Sequence, residues 1–373
     1  MYGRIIIRPL HPRVGRIGIR PYLCMMVETG SKRDIRKLKL DELTEFFLQH
    51  GEKPFRAKQV YEWLWNKSAK NFDQMTNLSV GLRDMLKEHF VINHIKVDHM
   101  QRSADGTIKN AVTLFDGMIV ESVLIPTEKR ITACVSSQVG CSLACKFCAT
   151  ARLKRQRNLS ADEIYDQVVA IKEQSELFFG RPLTNIVFMG MGEPLLNYGN
   201  VVSAIDKITS QKGLNMASKR ITLSTVGIAK MIIKMADDGV KFNLAVSLHA
   251  ALDKTRSSIM PINDTNPLDE LGEALRYWYG KTKRKVTYEY VVWKGINDTE
   301  EHAKALLKFC KIIPSKVNLI EYNPIDDSEF QQASDASLNM YMDLLERHGI
   351  TTRIRKSRGK DIDAACGQLA NKT

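Results

Sequence analysis

Cys141, Cys145 and Cys148 stand in one short run at C-x3-C-x2-C spacing, with Cys134 just upstream. Three thiolates on one loop can wrap a single metal centre. An iron–sulfur cube takes four ligands, so three cysteines leave one iron open. An open metal position accepts a bound molecule, which a catalytic site needs and a structural site avoids. Phe147, directly before the last cysteine, is placed to shield such a centre. The competing reading is a zinc knuckle completed by a distant histidine. Zinc sites usually pair two C-x2–4-C or H-x3–5-H elements, whereas these three thiols share a single loop. The sequence shows no secretory signal, so reduced thiols are expected in place of a disulfide framework.

The rest of the chain must position that loop. At 373 residues, 44% of them hydrophobic, it is long enough for one large catalytic domain and a small accessory one. The net charge of +13 points to a polyanionic partner, nucleic acid first. A merely basic soluble protein is the alternative. Seven cysteines is an odd number, which suits ligands and reactive thiols better than paired bridges. No stretch approaches the roughly 20 apolar residues of a membrane span, so a cytoplasmic protein without membrane contact is expected.

Four regions are expected. Residues 1–30 form a basic arm with Arg4, Arg8, Arg13, Arg16 and Arg20, either disordered or upstream of a true start at Met25 or Met26. Residues 31–94 read as a small helical RNA-binding domain, with Leu38, Leu43, Phe46 and Phe47 at helical spacing. Residues 95–127 read as a β-rich linker, because Asp105-Gly106 and Asp116-Gly117 are hairpin turn signals. From 128 to 373, strands at 131–136, 185–189, 220–224, 242–248, 286–292, 316–321 and 351–354 alternate with helices. Ser160 and Glu163 make a capping box opening the first helix. Such alternation specifies an α/β domain with a parallel sheet, curved or closed.

Ligands bind such folds at the carboxyl ends of the strands. Those ends carry Gly190-Met191-Gly192-Glu193, Ser224-Thr225, Ser247-Leu248-His249 and Glu321-Tyr322-Asn323. Gly192 lets the backbone approach a ligand closely, and Glu193 can accept from an ammonium group. Cys366 lies beside Gly367 in a polar neighbourhood, and Cys134 should point to the same rim. Two thiols beside one site suggest a nucleophile and a resolving partner. Glu121, alone among apolar neighbours in 118–125, is either a solvent-face residue or a buried functional carboxylate.

The cysteine loop resembles the signature of the radical S-adenosylmethionine (SAM) enzymes. The chain as a whole, from about Asp34 to Leu369, resembles the RlmN family. The anchors are Ser136-Ser137-Gln138-Val139-Gly140-Cys141, Gly190-Met191-Gly192-Glu193-Pro194 and Asp363-Ala364-Ala365-Cys366-Gly367-Gln368. This resemblance implies a partial (β/α)6 radical-SAM barrel in which Cys141, Cys145 and Cys148 hold a [4Fe–4S] cluster. It implies that Gly192, Glu193, Ser224, Ser247, Leu248, His249 and Asn323 line the SAM site. Cys366 would be the methyl-carrying thiol, Cys134 the second thiol and Glu121 the proton acceptor. The implied reaction methylates carbon 2 of adenine in 23S ribosomal RNA and in transfer RNA, and consumes two SAM molecules. It passes through a methyl-cysteine and a Cys134–Cys366 disulfide, on a monomer served by an external electron donor such as flavodoxin. The rivals are methylation at carbon 8 of adenine and a non-catalytic zinc RNA-binding factor. Lys146, Arg152, Lys154, Arg155 and Arg157, with Arg353, Arg355, Lys356 and Arg358, are expected to rim the RNA path.

Overall fold

The computed structural model describes residues 32–326 and 328–371. The expectations for the basic arm, including its alternative starts, fall on residues outside the described ones.

Ten strands form one sheet, and they lie side by side in chain order. They are β1 (Lys96–Arg102), β2 (Ile108–Thr113), β3 (Ile119–Pro126), β4 (Ile131–Cys134), β5 (Asn185–Phe188), β6 (Ile221–Thr225), β7 (Asn243–Ser247), β8 (Val286–Val291), β9 (Ser315–Ile320) and β10 (Thr351–Arg355). The first four pair antiparallel, and β4 through β10 pair parallel. Parallel crossovers are right-handed almost without exception. Seven parallel strands laid down in sequence therefore wind in one direction, with helices outside and strand ends gathered on one rim. The result is the curved parallel sheet expected from the sequence, extended at one side by the β1–β3 ribbon.

The outer helices are α4 (Ala161–Phe179), α5 (Tyr198–Thr209), α6 (Ala229–Asp237), α7 (Asp253–Ile259), α8 (Leu268–Thr282), α9 (Glu300–Cys310) and α10 (Asp335–Arg347). α4 opens on the expected capping box of Ser160 and Glu163, and ends at Gly180 with φ of 59°. The short α7 has no counterpart in the sequence reading.

Among the described residues three α-helices precede the sheet: α1 (Leu40–Gln49), α2 (Phe55–Trp65) and α3 (Val80–His89). Leu43, Phe47, Val60, Leu64, Leu82 and Leu86 bury one face of each. The unit docks on α4 through a buried charge network. Arg36 meets Asp166 at 2.7 Å, Asp162 at 3.5 Å and Asp34 at 3.7 Å, and donates to the Asn93 carbonyl. Tyr165 of α4 donates its hydroxyl to the Trp65 carbonyl at 2.5 Å.

The C-terminal tail crosses back over the rim. Asp361 accepts from the Ser103 hydroxyl at 2.6 Å, and Leu369 accepts from the Thr150 hydroxyl at 2.6 Å. Glu121 then accepts the backbone N–H groups of Ala370 and Asn371 at 2.8 and 3.0 Å. Glu121 is 1% exposed and faces Lys109 at 3.4 Å, so its solvent-face reading is wrong. The tail supplies the cover and the partners that such a buried carboxylate requires.

Candidate active site

A pocket of about 1090 Å³, its open mouth included, lies at the carboxyl ends of the parallel strands. The cysteine loop forms one wall. Its backbone turns through Ala144 with φ of 53°, and Lys146 N–H donates to the Ile259 carbonyl at 3.0 Å. Cys141, Cys145 and Cys148 all line this pocket. Burial pushes the Cys141 thiol up to about 11, and raises Cys145 and Cys148 as well. Such thiols stay protonated by themselves, and a bound cation overrides that by taking them as thiolates. Phe147 packs edge-on to His249 at 4.8 Å and tilts against Trp293 at 5.1 Å, which gives the loop an aromatic backing. Among the described residues no group of three or more His, Cys, Asp or Glu side chains is arranged to hold a single metal ion. The fit to a cluster rests instead on three soft donors sharing one loop and one pocket.

The opposite wall is the end of β5. Gly192 has φ of +93°, and a Cβ there would stand 2.5 Å from Gln138 Cβ and 2.9 Å from its backbone nitrogen. Only glycine allows that approach. Gln138 in turn accepts from Glu193 N–H at 2.8 Å, and Ser136 Oγ accepts from Met191 N–H at 2.8 Å. The run before the cysteines thus clamps the Gly190–Glu193 turn. Glu193 itself accepts from Leu195 N–H and Val226 N–H, both at 3.0 Å. Its carboxyl is raised to about 6, by burial first and against those hydrogen bonds. A carboxylate so fixed is a ready partner for an ammonium group.

The remaining strand ends supply polar groups of other kinds. Ser224 and Ser247 hydroxyls lie 3.4 Å apart on neighbouring strands. Burial lowers His249 to about 3, so its imidazole is neutral. Val291 N–H donates to its Nδ1 at 3.3 Å, which leaves Nε2 as the donor. Asn323 donates to the Cys366 carbonyl at 3.2 Å, while its buried Oδ1 has no partner among the described residues. A buried acceptor without a partner costs stability until a ligand donor reaches it.

Gly192, Glu193, Ser224, Ser247, His249, Asn323 and Cys366 line the pocket together. Leu248, Glu121 and Cys134 do not line it. Leu248 is fully buried in the core. Cys134 is buried at the end of β4, its thiol pushed up to about 12 by burial first and by Cys366 second. Both cysteines stand as free thiols, so the implied disulfide is not formed in this structure. Two charged lining residues were missed or misassigned. Glu289 projects from the middle of β8 and is raised by its burial. Arg355 faces Glu289 at 3.6 Å and donates to Met189 Sδ, also at 3.6 Å. The sequence alone places it on the RNA rim. Arg157 leaves that rim too, because it forks onto Glu163 at 2.8 Å and meets Asp116 at 2.6 Å.

Three thiols on a loop at the rim of a sequentially wound parallel half-barrel define a radical-SAM protein, and residues 135–309 match the radical SAM superfamily. Residues 33–92 match the ribosomal RNA large subunit methyltransferase N-terminal domain. A Flavobacterium psychrophilum relative is 68% identical over 91% of this chain and 98% of its own length. One from Christiangramia forsetii is 66% identical over 92% and 97%. Both carry the name probable dual-specificity RNA methyltransferase RlmN. A radical SAM methyltransferase from Sphaerobacter thermophilus superposes with a TM-score of 0.86 at 38% identity, covering 91% of this chain and 100% of that one. The chain belongs to the RlmN family. Its cofactors are accordingly a [4Fe–4S] cluster and SAM, and the donor set described here fits both. Among the described residues no helix is long and apolar enough to cross a membrane.

Proposed function

We propose that this chain methylates carbon 2 of adenine in 23S ribosomal RNA and in transfer RNA. The observation that carries the reading is Cys366 on the wall of the same pocket as the three-cysteine loop, with Cys134 buried close enough to feel it. The aromatic carbon at position 2 is electron-poor, so direct displacement on SAM fails there. A methyl carried on sulfur beside a radical source avoids that obstacle.

In this reading Cys366 takes a methyl from one SAM by displacement at carbon, and S-adenosylhomocysteine leaves. When bound, the cluster supplies the electron that turns a second SAM into a hydrogen-abstracting species. Cys366 then presents its S-methyl group to that species and afterwards to the adenine. Glu193 holds the SAM ammonium, and the Ser224, Ser247 and Asn323 side chains orient the remainder. Glu121 receives the ring proton, which requires its contacts to the Ala370 and Asn371 N–H groups to open. Cys134 then attacks the Cys366 sulfur as a thiolate and the carbon–sulfur bond breaks; the released methylene carbon takes a proton to become the methyl, the one surplus electron returns to the centre that supplied it, and a disulfide remains. An external two-electron reductant returns both thiols. Arg355, beside Glu289, keeps a cation against this pair throughout. An external electron donor of the flavodoxin kind serves the cluster.

The target base must leave its stack to enter the pocket. Lys146, Lys154 and Arg155 are exposed beside the mouth and suit RNA phosphates. The test is nucleoside analysis of ribosomal and transfer RNA from a host lacking its own enzyme. The intact chain should yield 2-methyladenosine and Cys366→Ala none. 8-Methyladenosine would move the reading to the other ring carbon. Modification persisting without Cys366 would refute the thiol route, and none with either protein would refute RNA methylation.

A further inference from the structure

The β2–β3 turn is built for a purpose that packing does not explain. Phe115, Asp116 and Gly117 form its tip, closed by Gly117 N–H donating to the Leu114 carbonyl at 3.0 Å. Phe115 is 58% exposed there, although a turn of this kind tolerates any polar residue in its place. The ring is backed by a cation, because the Arg157 guanidinium carbon lies 5.3 Å from its centroid. That guanidinium is immobilised by two 2.8 Å bonds to Glu163 and one of 2.6 Å to Asp116. The result is a rigid aromatic plate, supported beneath and open to solvent.

Its position follows from the register. Cys134, at the rim end of β4, pairs with Val123 of β3. β3 runs the opposite way, so Ile119 lies four residues beyond, roughly 13 Å past that rim at strand rise. Arg157 pairs with Val139, two residues before Cys141, and Asn371 of the tail donates to the Ile119 carbonyl at 2.8 Å. The ribbon tip therefore stands beside both elements that carry the site, the cysteine loop and the Cys366 tail. Lys154 and Arg155 lie exposed on the same loop as Arg157.

The geometry points to Phe115, stacked on Arg157, as the platform for an unpaired nucleobase next to the target adenine in the RNA. The proposal rests on the RNA reading above. An exposed aromatic face backed by a guanidinium and flanked by cations is the chemistry that single-stranded RNA meets in proteins: stacking for a base, charge for its phosphates. The extrusion of one adenine into the pocket strips its neighbour of a stacking partner, and the plate replaces it.

The test uses the anaerobically reconstituted holoenzyme and a fluorescein-labelled RNA hairpin with an adenine-containing loop. Phe115→Ala should weaken binding about 5- to 150-fold, and Phe115→Leu should behave like it. Phe115→Trp should bind as wild type does, with its new indole quenched by the RNA. The dependence on salt should be the same in all four, since no cation is lost. Thermal unfolding checks that each variant is folded. Wild-type binding by Phe115→Ala, rescue by Phe115→Leu, or failure of Phe115→Trp each overturns the platform and leaves the methylation reading standing. Absence of hairpin binding by the wild type itself removes both.

Discussion

Replacing Arg36 by methionine tests how the helical unit is joined to the barrel. Arg36 is 3% exposed at its side chain and serves three carboxylates at 2.7, 3.5 and 3.7 Å. Its loss leaves Asp34 and Asp166 buried without a cation, while Asp162 keeps Lys37 at 2.5 Å. Breaking a buried ion pair from one side costs about 3–5 kcal/mol, a large share of the 5–15 kcal/mol that holds a typical domain folded. Lys70→Ala is the control. It removes the Lys70–Glu173 pair, about half exposed on both sides, and should cost no more than about 1 kcal/mol. The loss should also depend on pH. Burial already raises the Asp34 and Asp166 carboxyls, with Arg36 opposing it, so removing Arg36 raises them further. A carboxyl raised in the folded state binds protons more readily there than when unfolded. Its stability contribution is therefore present at low pH and is lost as pH rises through the raised value. The deficit of Arg36→Met should shrink as pH falls from neutrality. Urea unfolding followed by tryptophan emission reads this out, with Trp63 and Trp65 in the helical unit. A loss no larger than that of Lys70→Ala, or one constant as pH falls, would refute the reasoning.

Three further outcomes are expected. Gly192→Ala forces a Cβ to within 2.5 Å of Gln138 and holds a side-chain residue at φ +93°. It should cost about 1–3 kcal/mol of stability and move Glu193, so that SAM affinity measured by calorimetry falls too. Glu193→Gln sets two terms against each other in the cluster-free protein. Removing the buried charge gains about 2 kcal/mol at neutral pH, from a carboxyl raised from 4.5 to about 6. Losing one acceptor for the Leu195 or Val226 N–H costs about 1–3 kcal/mol, so denaturation at pH 7 should show little change. As pH falls from 6 to 4.5 the wild type recovers its penalty and the variant should lag by about 2 kcal/mol. Changing Lys146, Lys154 and Arg155 together to glutamine should weaken RNA binding and flatten the slope of log affinity against log salt by about 2.

The parallel strands were legible because strands covered on both faces read as short apolar runs. The cysteine loop and the glycine turn were legible because their chemistry is local. α7 escaped because seven residues after His249 are too few to show a helical period. Glu289 escaped because it stands mid-strand between Tyr288 and Tyr290, where an acid gives no signal until a cation arrives. That cation, Arg355, comes from another strand, and in the sequence it looks like one member of a basic run. Glu121 was ambiguous for the same reason. Its cover comes from the tail, about 250 positions away.

The tail also has a consequence for the order of assembly. Its contacts join residues 219 to 258 positions apart, Thr150 to Leu369 and Ser103 to Asp361. Loop-closure entropy grows only as the logarithm of such separations, yet contacts this distant in sequence are slow to form. The barrel and its cysteine loop can therefore be complete while the strap is still loose. Closure then places Gly367 and Leu369 against Ala149 and Thr150, directly behind the last cysteine. Residues 359–371 therefore act as a strap laid over the back of the cysteine loop, and substitutions that break its contacts to Ala149 and Thr150 should uncover the loop while leaving the barrel folded.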